Sequence, residues 1–384
     1  MQRLSPEKSA RVVFVTTGFG ATPTGPSVYA HYLWDGFRDD PDVEFHLVAP
    51  EFPFAHPRAH ATGKGRGSLE LYDDLCRKAR EVADALGAGV IIHANNSHLG
   101  RRLLATRHRL WGQLNDYQNV EVYRNLPRIL RYYGPRRALA LLRRRWLERQ
   151  SVARQDLTLC NSRYTRQRAL EAYRPPHSER LVVVYKAVDL GFFRRPTVLP
   201  PDPAGRDPGR FRILFIGSDF VVKGLDVLVE ACLHLKVPAH LCVVGVEEAA
   251  FRGRFGSLAD RLRASGFPYW FGGRLPRERV RALLWHSDLF ALPSRSEAFG
   301  VAILEALAAG VPVVASRVGG VPEIVDTVGG GDLVPRVKPE PWCEALEARA
   351  QESGGFDREA VRARLEERFS SGGMLRTLRS LYLQ

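Results

Sequence analysis

The chain has 384 residues, a hydrophobic fraction of 45% and a formal net charge of +14. This length exceeds one ordinary domain, so we expect two globular domains with buried cores. No apolar run reaches the roughly 18 residues needed to cross a bilayer, which excludes a membrane-spanning helix. Five scattered cysteines form no CxxC pair, and the first residues carry no signal-peptide pattern. We therefore expect a reduced, cytoplasmic protein.

In the first half of the chain, strand patterns alternate with helical patterns. After the first strand comes a glycine-rich loop, Gly18–Ser27, and the helical patterns VYAHYLWDGF and LYDDLCRKAREVADAL follow. The predicted strands are Arg11–Thr17, Val43–Pro50, Gly89–Asn96, Arg109–Asp116, QDLTLCNS and ERLVVVYKAVD. The alternation predicts βαβ units and a parallel sheet.

The positive charge is concentrated in this half. Residues 101–166 contain sixteen arginines, no lysine and four acidic residues, a net charge of +12. Within them, Pro135–Gln150 (PRRALALLRRRWLERQ) predicts a basic helix that carries Leu139, Leu142 and Trp146. Three interpretations stay open: a solvated helix, a surface for an anionic membrane or substrate, and a nucleic-acid surface. No nucleic-acid motif is present and the aromatic residues form no stacking pattern, so we expect no nucleic-acid partner.

A proline-rich segment, Gly191–Arg210, separates the two halves, and its five prolines predict a linker. After it, strands (FRILFIG, HLCVVG, YWFGG, LFALPS and VPVVA) again alternate with helices. The predicted domains are 1–190 and 211–370, joined by the linker 191–210, with a C-terminal helix at 371–384 that packs on the first domain. The fold class is α/β, with two Rossmann-like parallel sheets facing each other across a cleft.

An anion site is predicted after the strand FRILFIG. The loop that follows contains Gly217, Ser218, Lys223 and Gly224 and opens a helix. A helix N-terminus offers free N–H groups and a partial positive charge, to which the lysine adds a full charge. The alternative is a helix cap at the surface.

Two glutamates frame the start of a helix in the stretch PSRSEAFGVAILEALAAGVPVVAS. Glu305 follows Glu297 by eight residues, so on one helix the two acids lie on nearly the same side, about 12 Å apart. That separation exceeds the roughly 5–10 Å of a catalytic carboxylate pair and suits two ends of a long polar ligand, such as a nucleotide sugar with a diol at each end. The alternatives are an acid near the helix N-cap for Glu297 and a surface helix position for Glu305.

Residues Val182–Asp332 resemble the retaining nucleotide-sugar glycosyltransferases of family 4, which have the GT-B fold. The resemblance lies in SRSEAFGVAILEALAAGVPVVASRVGGVPEIV, the family's E-x7-E segment, and in FIGSDFVVKGLDVLVEA, LCVVGVEE and YWFGGRLPRERVRALLWHSDLFALPS. The first half resembles the family only through its early glycine loop and VIIHANN.

The resemblance implies roles for individual residues. Glu297 matches the acid that contacts the donor sugar, Glu305 the acid that holds the ribose hydroxyls, and Lys223 the lysine that neutralises the diphosphate. His93 matches the family's active-site histidine near the anomeric carbon, and its alternative is a histidine that ends a strand with its hydrogen bonds satisfied. The other implied donor-binding positions are Gly25, Ser218, Gly273, Arg274, Leu275, Ala298, Phe299, Gly300 and Val301.

The chain departs from the family pattern on the donor side. Ser218 occupies the position of the family's usual arginine, which removes one cation from the diphosphate site. Arg163 and Arg274 are the candidates to replace it. The family's Asn-Gly-Val-Asp turn is Lys-Ala-Val-Asp here, so Lys186 adds a cation near the predicted hinge.

The acceptor side also departs from the family. A His-Asp pair of the family is replaced by Asn115, Asp116 and Tyr117. We expect these residues, with the arginine-rich segment 101–166, to shape the acceptor side.

The resemblance implies a retaining hexosyltransferase that uses a front-face mechanism. Its partners are a nucleotide-diphosphate sugar and an acceptor hydroxyl on a polysaccharide, a lipid-linked intermediate or a natural product. No His/Asp/Glu cluster has metal-ligand spacing, so we expect no metal and no cofactor. The alternative function is a non-catalytic GT-B-like protein that docks on anionic surfaces through residues 101–166. The expected location is the cytoplasm, with the inner face of the membrane as the alternative.

Overall fold

The computed structural model describes residues 10–20, 25–63, 68–115, 122–205, 209–352 and 356–384. The chain divides into two compact units. The first unit comprises Met1–Lys186 with Ser371–Gln384, and the second comprises Ala187–Ser370.

The described part of the first unit contains a seven-stranded sheet in which all neighbouring strands are parallel. Its strands are β1 (Ala10–Val15), β2 (Val43–Ala49), β3 (Ala59–Ala61), β4 (Val90–Ala94), β5 (Arg109–Leu114), β6 (Leu157–Cys160) and β7 (Leu181–Val183). Their order is β3-β2-β1-β4-β5-β6-β7. Sequence patterns predicted all of these strands except β3, a three-residue edge strand that is too short to show a period.

Helices connect these strands, as the βαβ pattern predicts. They are α1 (Gly25–Phe37), α2 (Ser68–Leu86), α3 (Ser97–Leu103), α4 (Val122–Val152) and α5 (Arg163–Tyr173), and Ser178–Arg180 forms a 3-10 turn. Gly134 interrupts α4 with φ 76°, and Pro135 restarts it. The predicted basic helix 135–150 is therefore the second half of a longer, kinked helix.

The described part of the second unit contains a six-stranded parallel sheet of order β10-β9-β8-β11-β12-β13. Its strands are β8 (Phe211–Ile216), β9 (Ala239–Val244), β10 (Tyr269–Phe271), β11 (Leu289–Leu292), β12 (Val313–Ser316) and β13 (Gly331–Val334). Its helices are α6 (Leu190–Phe193), α7 (Leu225–Leu233), α8 (Glu248–Arg254), α9 (Gly256–Ala264), α10 (Arg277–Trp285), α11 (Val301–Ala308), α12 (Val321–Val328), α13 (Pro339–Gln351) and α14 (Arg358–Phe369).

Strand order reverses once in each sheet. From β8 the chain runs outward through β9 and β10, then returns to the other side of β8 as β11. In the first unit the same reversal separates β1 from β4. Ligands of open α/β sheets bind beyond the carboxyl ends of the strands at this point, so the loops after β8 and β11 are the expected ligand site of the second unit.

The predicted linker is held at its start by contacts within the second unit. Its first residues form α6, and the side chains of α10 hold them: Arg281 Nη1 donates to the Phe192 carbonyl at 2.9 Å, and Trp285 Nε1 donates to the Phe193 carbonyl at 3.0 Å. The last carbonyls of a helix have no partner within the helix, and here the N–H groups of an arginine and a tryptophan supply the missing donors. Residues 206–208 lie outside the described residues.

The last helix, α15 (Ser371–Tyr382), groups with the first unit. The hydroxyl of Tyr382 lies 2.7 Å from Nδ1 of His93, and Arg379 Nε donates to Asp40 at 3.0 Å. In the part of the chain that the structure describes, no helix is both long enough and apolar enough to span a bilayer.

Candidate functional site

Two loops meet at the strand reversal of the second unit. The loop after β8 ends at Gly224, which precedes α7 with φ 72°, and a Cβ there would lie 2.0 Å from the carbonyl oxygen of Pro293 in the loop after β11. Only glycine permits this approach. The backbone N–H of Arg295 also donates to the Val222 carbonyl at 2.8 Å. The two loops therefore form one rigid surface.

An arginine that the sequence analysis missed locks the same two loops. Arg295 donates to both carboxylate oxygens of Asp226, at 2.7 and 2.6 Å, and to the Val221 carbonyl at 2.7 Å. A bidentate arginine–carboxylate pair adds orientation as well as energy. No local spacing signals this pair, because 69 residues separate its members.

Lys223 and Glu297 form an ion pair between these loops. Their side chains are 25% and 12% exposed, so the pair is reachable but partly desolvated. The sequence analysis assigned both residues to one ligand, and the structure brings them into direct contact with each other. An incoming polyanion would compete with Glu297 for the ammonium group.

A third loop, after β12, fixes the backbone of Glu297. The N–H of Gly320 donates to the Glu297 carbonyl at 3.3 Å. Gly319 has φ 59°, and a Cβ on it would lie 1.6 Å from the same carbonyl oxygen. Neither glycine was predicted as a site residue, although the Val-Gly-Gly-Val sequence carries the signal of a close backbone approach.

The prediction that Glu297 and Glu305 lie on one side of the same helix is wrong. Helix α11 begins at Val301, and Glu297 lies four residues earlier in the loop, so the two acids do not share a helix face. The physical reason is Gly300, whose φ of 109° no helical residue adopts and which ends the loop before the first turn. Ala298 and Phe299 are buried, at 7% and 1% exposure, so Phe299 anchors the loop in the core.

Glu305 lies on α11 and faces Arg277, with 3.8 Å between its Oε1 and the arginine Nη2. The two side chains are 17% and 16% exposed. Burial raises the pKa of Glu305 to about 7, and the positive charge of Arg277 opposes the shift. Hydrogen bonds donated by a ligand would favour the ionised carboxylate.

The ends of β8, β9 and β10 are also joined by backbone contacts. The N–H of Gly217 donates to the Val244 carbonyl at 3.0 Å, and the N–H of Gly245 donates to the Gly273 carbonyl at 2.7 Å. Gly273 has φ 57°. Ser218 and Arg274 are exposed at this edge, and the side chain of Leu275 is partly buried. The predicted donor-side residues of the second unit thus line one edge of its sheet.

The structure describes only part of the predicted acceptor side. Asp116 and Tyr117 lie outside the described residues. Asn115 donates through Nδ2 to Oδ1 of Asn95 at 3.2 Å. Gly25 is the first residue of α1, and residues 21–24 of its loop lie outside the described residues. Arg163 begins α5 of the first unit.

His93 lies inside β4 and has no exposed surface. Its ring contacts Phe14 edge-on, with 5.0 Å between the ring centroids, and its Nδ1 is bonded to Tyr382. Burial lowers its pKa to about 3, and the charge of Lys186 adds to the shift, so the imidazole is neutral. Its other ring nitrogen, Nε2, has no hydrogen-bond partner in the part of the chain that the structure describes.

Comparison with known proteins identifies the family to which this chain is similar. Residues 23–192 match the family model described as "Glycosyltransferase Family 4", and residues 201–353 match the one described as "Glycosyl transferases group 1". A D-inositol 3-phosphate glycosyltransferase of Xylanimonas cellulosilytica is 32% identical over 240 residues, which are 58% of this chain and 55% of that protein. The chain thus spans about half the length of the curated relatives it matches.

Solved structures share the fold over nearly the whole chain. Sucrose-phosphate synthase from Thermosynechococcus elongatus gives a TM-score of 0.75 at 18% identity, over 97% of this chain and 98% of that one. Anabaena Alr3699/HepE in complex with UDP and glucose gives 0.71 at 17% identity, over 97% and 99%. With two α/β units, each built on a parallel sheet, and two family models matched in succession, the chain belongs to glycosyltransferase family 4 and has the GT-B fold.

Proposed function

We propose that the protein transfers a hexose-type sugar from a nucleotide-diphosphate sugar to an acceptor hydroxyl, with retention of configuration. The observation that carries the proposal is the Lys223–Glu297 ion pair at the strand reversal of the second unit. Nucleotides bind at such a reversal in open α/β sheets. The name of the Xylanimonas relative and the UDP and glucose bound to the Anabaena protein support the same chemistry.

In the proposed complex the donor diphosphate takes the place of Glu297 at the ammonium of Lys223. Helices α7 and α11 begin beside it, and their first N–H groups supply further positive potential. Glu297 is then released to orient the sugar, while Glu305 accepts hydrogen bonds from the ribose hydroxyls. Arg277 and Arg295 hold these elements in place.

The reaction breaks the bond between the anomeric carbon and the diphosphate oxygen, and the electron pair leaves with the diphosphate. Lys223 and the two helix N-termini stabilise the negative charge that develops there. The acceptor hydroxyl attacks from the face that the diphosphate leaves, and its proton goes to the departing phosphate oxygen. In this scheme no protein base, cofactor or divalent metal is required, so turnover should persist in EDTA.

Release of the nucleoside diphosphate tests this function before the acceptor is known, since water can take the place of the acceptor. We expect one of the UDP-, GDP-, ADP- or dTDP-sugars to be hydrolysed by the wild type. Lys223→Met should lower the rate about 10- to 100-fold, the value of a lost charged hydrogen bond. The exposed residue Val198 offers a matched control, Val198→Ala, which should leave the rate unchanged. Hydrolysis that is insensitive to Lys223→Met would contradict the proposal.

The stereochemistry has its own readout. Proton NMR during hydrolysis of an α-linked donor should show the α anomer of the free sugar before mutarotation. Initial release of the β anomer would contradict retention.

We also propose that α4 contacts an anionic membrane surface. Its second half exposes a stripe at helical spacing, Arg136, Leu139, Arg143 and Trp146, in which Leu139 is 69% and Trp146 52% exposed. Two large apolar side chains between arginines are typical of a helix that lies in the interface of a membrane with anionic lipids. This feature favours the second interpretation of the basic segment, a surface for an anionic membrane.

Flotation with phosphatidylglycerol vesicles tests the membrane contact. The wild type should float with anionic vesicles and stay in solution with neutral ones. Leu139→Ala/Trp146→Ala should reduce flotation, whereas Val198→Ala, which shortens a still more exposed apolar side chain elsewhere, should not. Equal flotation of all three proteins would contradict the assignment of α4.

A further inference from the structure

One face of the first sheet becomes polar towards the carboxyl ends of its central strands. His93 on β4 is paired in register with Trp111 on β5. Because side chains alternate along a strand, Gln113 lies on the same face, one step further towards the carboxyl end. Tyr29 of α1 lies close to Gln113. Burial raises the pKa of the Tyr29 phenol, and the Gln113 amide opposes part of that rise.

These buried polar groups lack partners. Among the described residues, Nε2 of His93 and the Gln113 amide oxygen have no hydrogen-bond partner, and the Tyr29 hydroxyl and the Gln113 amide nitrogen have no partner other than each other. The three side chains belong to residues that are 4%, 0% and 1% exposed. Buried polar groups in folded proteins are almost always paired, and a cluster of unpaired ones indicates a missing occupant.

Lys186 brings a positive charge to the same cluster. Its ammonium lies 3.3 Å from the centroid of the Tyr29 ring, and its field contributes to the lowered pKa of His93. Among the ion pairs of the described residues, none joins Lys186 to a carboxylate. Because burial disfavours the charged form and no described carboxylate offsets this, the pKa of Lys186 lies well below its usual range, and a bound anion would raise it. The residue as a whole is half-buried.

The cluster presents mainly donors. When Nδ1 of His93 accepts a hydrogen bond from the Tyr382 hydroxyl, the ring proton of the neutral imidazole is on Nε2, which is then a donor. Lys186, the Tyr29 hydroxyl and the Gln113 amide nitrogen add further donors, and the Gln113 amide oxygen can accept. A water molecule would satisfy some of these groups but would leave the ammonium charge uncompensated. An anion satisfies the donors and the charge together.

We propose that Lys186, Tyr29, His93 and Gln113, the buried donor cluster, bind an anionic group of the acceptor substrate, a phosphate or a carboxylate. That the anion belongs to an acceptor rests on the proposed function. That the cluster binds an anion does not, and it is testable with simple salts. The substrate class would then be a phosphorylated or acidic hydroxyl compound.

Lysine NMR gives a residue-resolved test in the wild-type chain, so no variant has to fold for the main result. The sequence contains seven lysines, and [ε-13C]lysine labelling gives one signal for each. Lys186→Arg and Lys223→Arg assign the two relevant signals. Inorganic phosphate and acetate are titrated separately, first into the protein alone and then into protein with a nucleoside diphosphate present.

We expect a saturable shift of the Lys186 signal with phosphate, with acetate or with both, and the active salt identifies the anion class. Gln113→Leu should weaken this binding, and Lys186→Met should weaken the matching thermal stabilisation about 10- to 100-fold. A Lys186 signal that neither salt moves would overturn the proposal. The Lys223 signal is read in the same spectra, and its response to the nucleotide reports on the proposed donor site separately.

Discussion

Lys223 and Glu297 neutralise each other across the two loops that end β8 and β11. The resemblance to the family implies different roles for these two residues, one at the diphosphate and one at the sugar. In the protein without a donor, the carboxylate occupies the place that the proposed function gives to the diphosphate. Under the proposed function, donor binding breaks this pair before Glu297 contacts the sugar.

Glu297→Gln should consequently have opposite effects on binding and turnover. It removes the competitor for the Lys223 ammonium, so the affinity for the nucleoside diphosphate should rise severalfold, while transfer or hydrolysis of the sugar should fall. Calorimetric titration and the hydrolysis assay measure the two effects. A variant that loses affinity and turnover together would show that Glu297 helps to hold the nucleotide rather than competing with it.

Glu305 should make the free energy of unfolding depend on pH. Its pKa in the folded protein, about 7, lies above its ordinary value of 4.5. A raised pKa stabilises the fold below the unfolded pKa, and that contribution is lost as the pH rises through 7. Glu305→Gln cannot ionise, so relative to the wild type it should gain on the order of 1–3 kcal/mol between pH 4.5 and pH 8.

Urea unfolding of both proteins across this range provides the measurement. When one curve is subtracted from the other, the contributions of the titrating groups that both proteins share cancel. Parallel curves would mean that Glu305 titrates normally and that Arg277 compensates its burial.

Gly319→Ala should disturb the site through its backbone. The added Cβ would collide with the carbonyl oxygen of Glu297, and φ 59° is unfavourable for alanine. We expect a loss of roughly 2–4 kcal/mol in unfolding free energy, with weaker nucleotide binding. Gly253→Ala is the matched control, because Gly253 lies in α8 with open space around it and should tolerate or gain from alanine. Equal stability of the two variants would contradict the close approach.

Tyr382→Phe should destabilise the first unit. It removes the 2.7 Å hydrogen bond to His93 Nδ1 and leaves that buried nitrogen without a partner, at a cost of about 1–3 kcal/mol. The ring contact with Trp111 is kept, so the effect isolates the hydroxyl. Tyr72→Phe, the same change at a partly buried tyrosine of this unit, serves as the control in thermal or urea unfolding. A Tyr382→Phe protein as stable as the wild type would show that the bond contributes nothing.

Most strands of both sheets were predictable because their burial leaves a direct trace in the sequence. A central strand such as β11 is covered on both faces, so it is a continuous apolar run. The edge strands β3 and β13 and the short helix α6 leave no such trace. They owe their structure to neighbours that are distant in sequence, as the bonds from α10 to α6 show.

The candidate site was predictable in its residue types but not in its geometry. Lys223, Glu297 and Glu305 were identified from sequence, but the positive φ of Gly300 moved Glu297 off the helix on which the spacing argument relied. The Arg295–Asp226 pair depends on two loops meeting in space, which no local pattern specifies. Likewise, the position of His93 near a strand end does not predict that its side chain is fully buried.

The central claim is that a nucleoside diphosphate binds the second unit at Lys223, and melting temperatures measured with UDP, GDP, ADP and dTDP test it most directly. A ligand that binds only the folded state raises the melting temperature by mass action. The account predicts that at least one nucleotide does so in the wild type and that Lys223→Met and Glu305→Ala abolish the shift. A shift that survives Lys223→Met, or no shift with any of the four nucleotides, would contradict it.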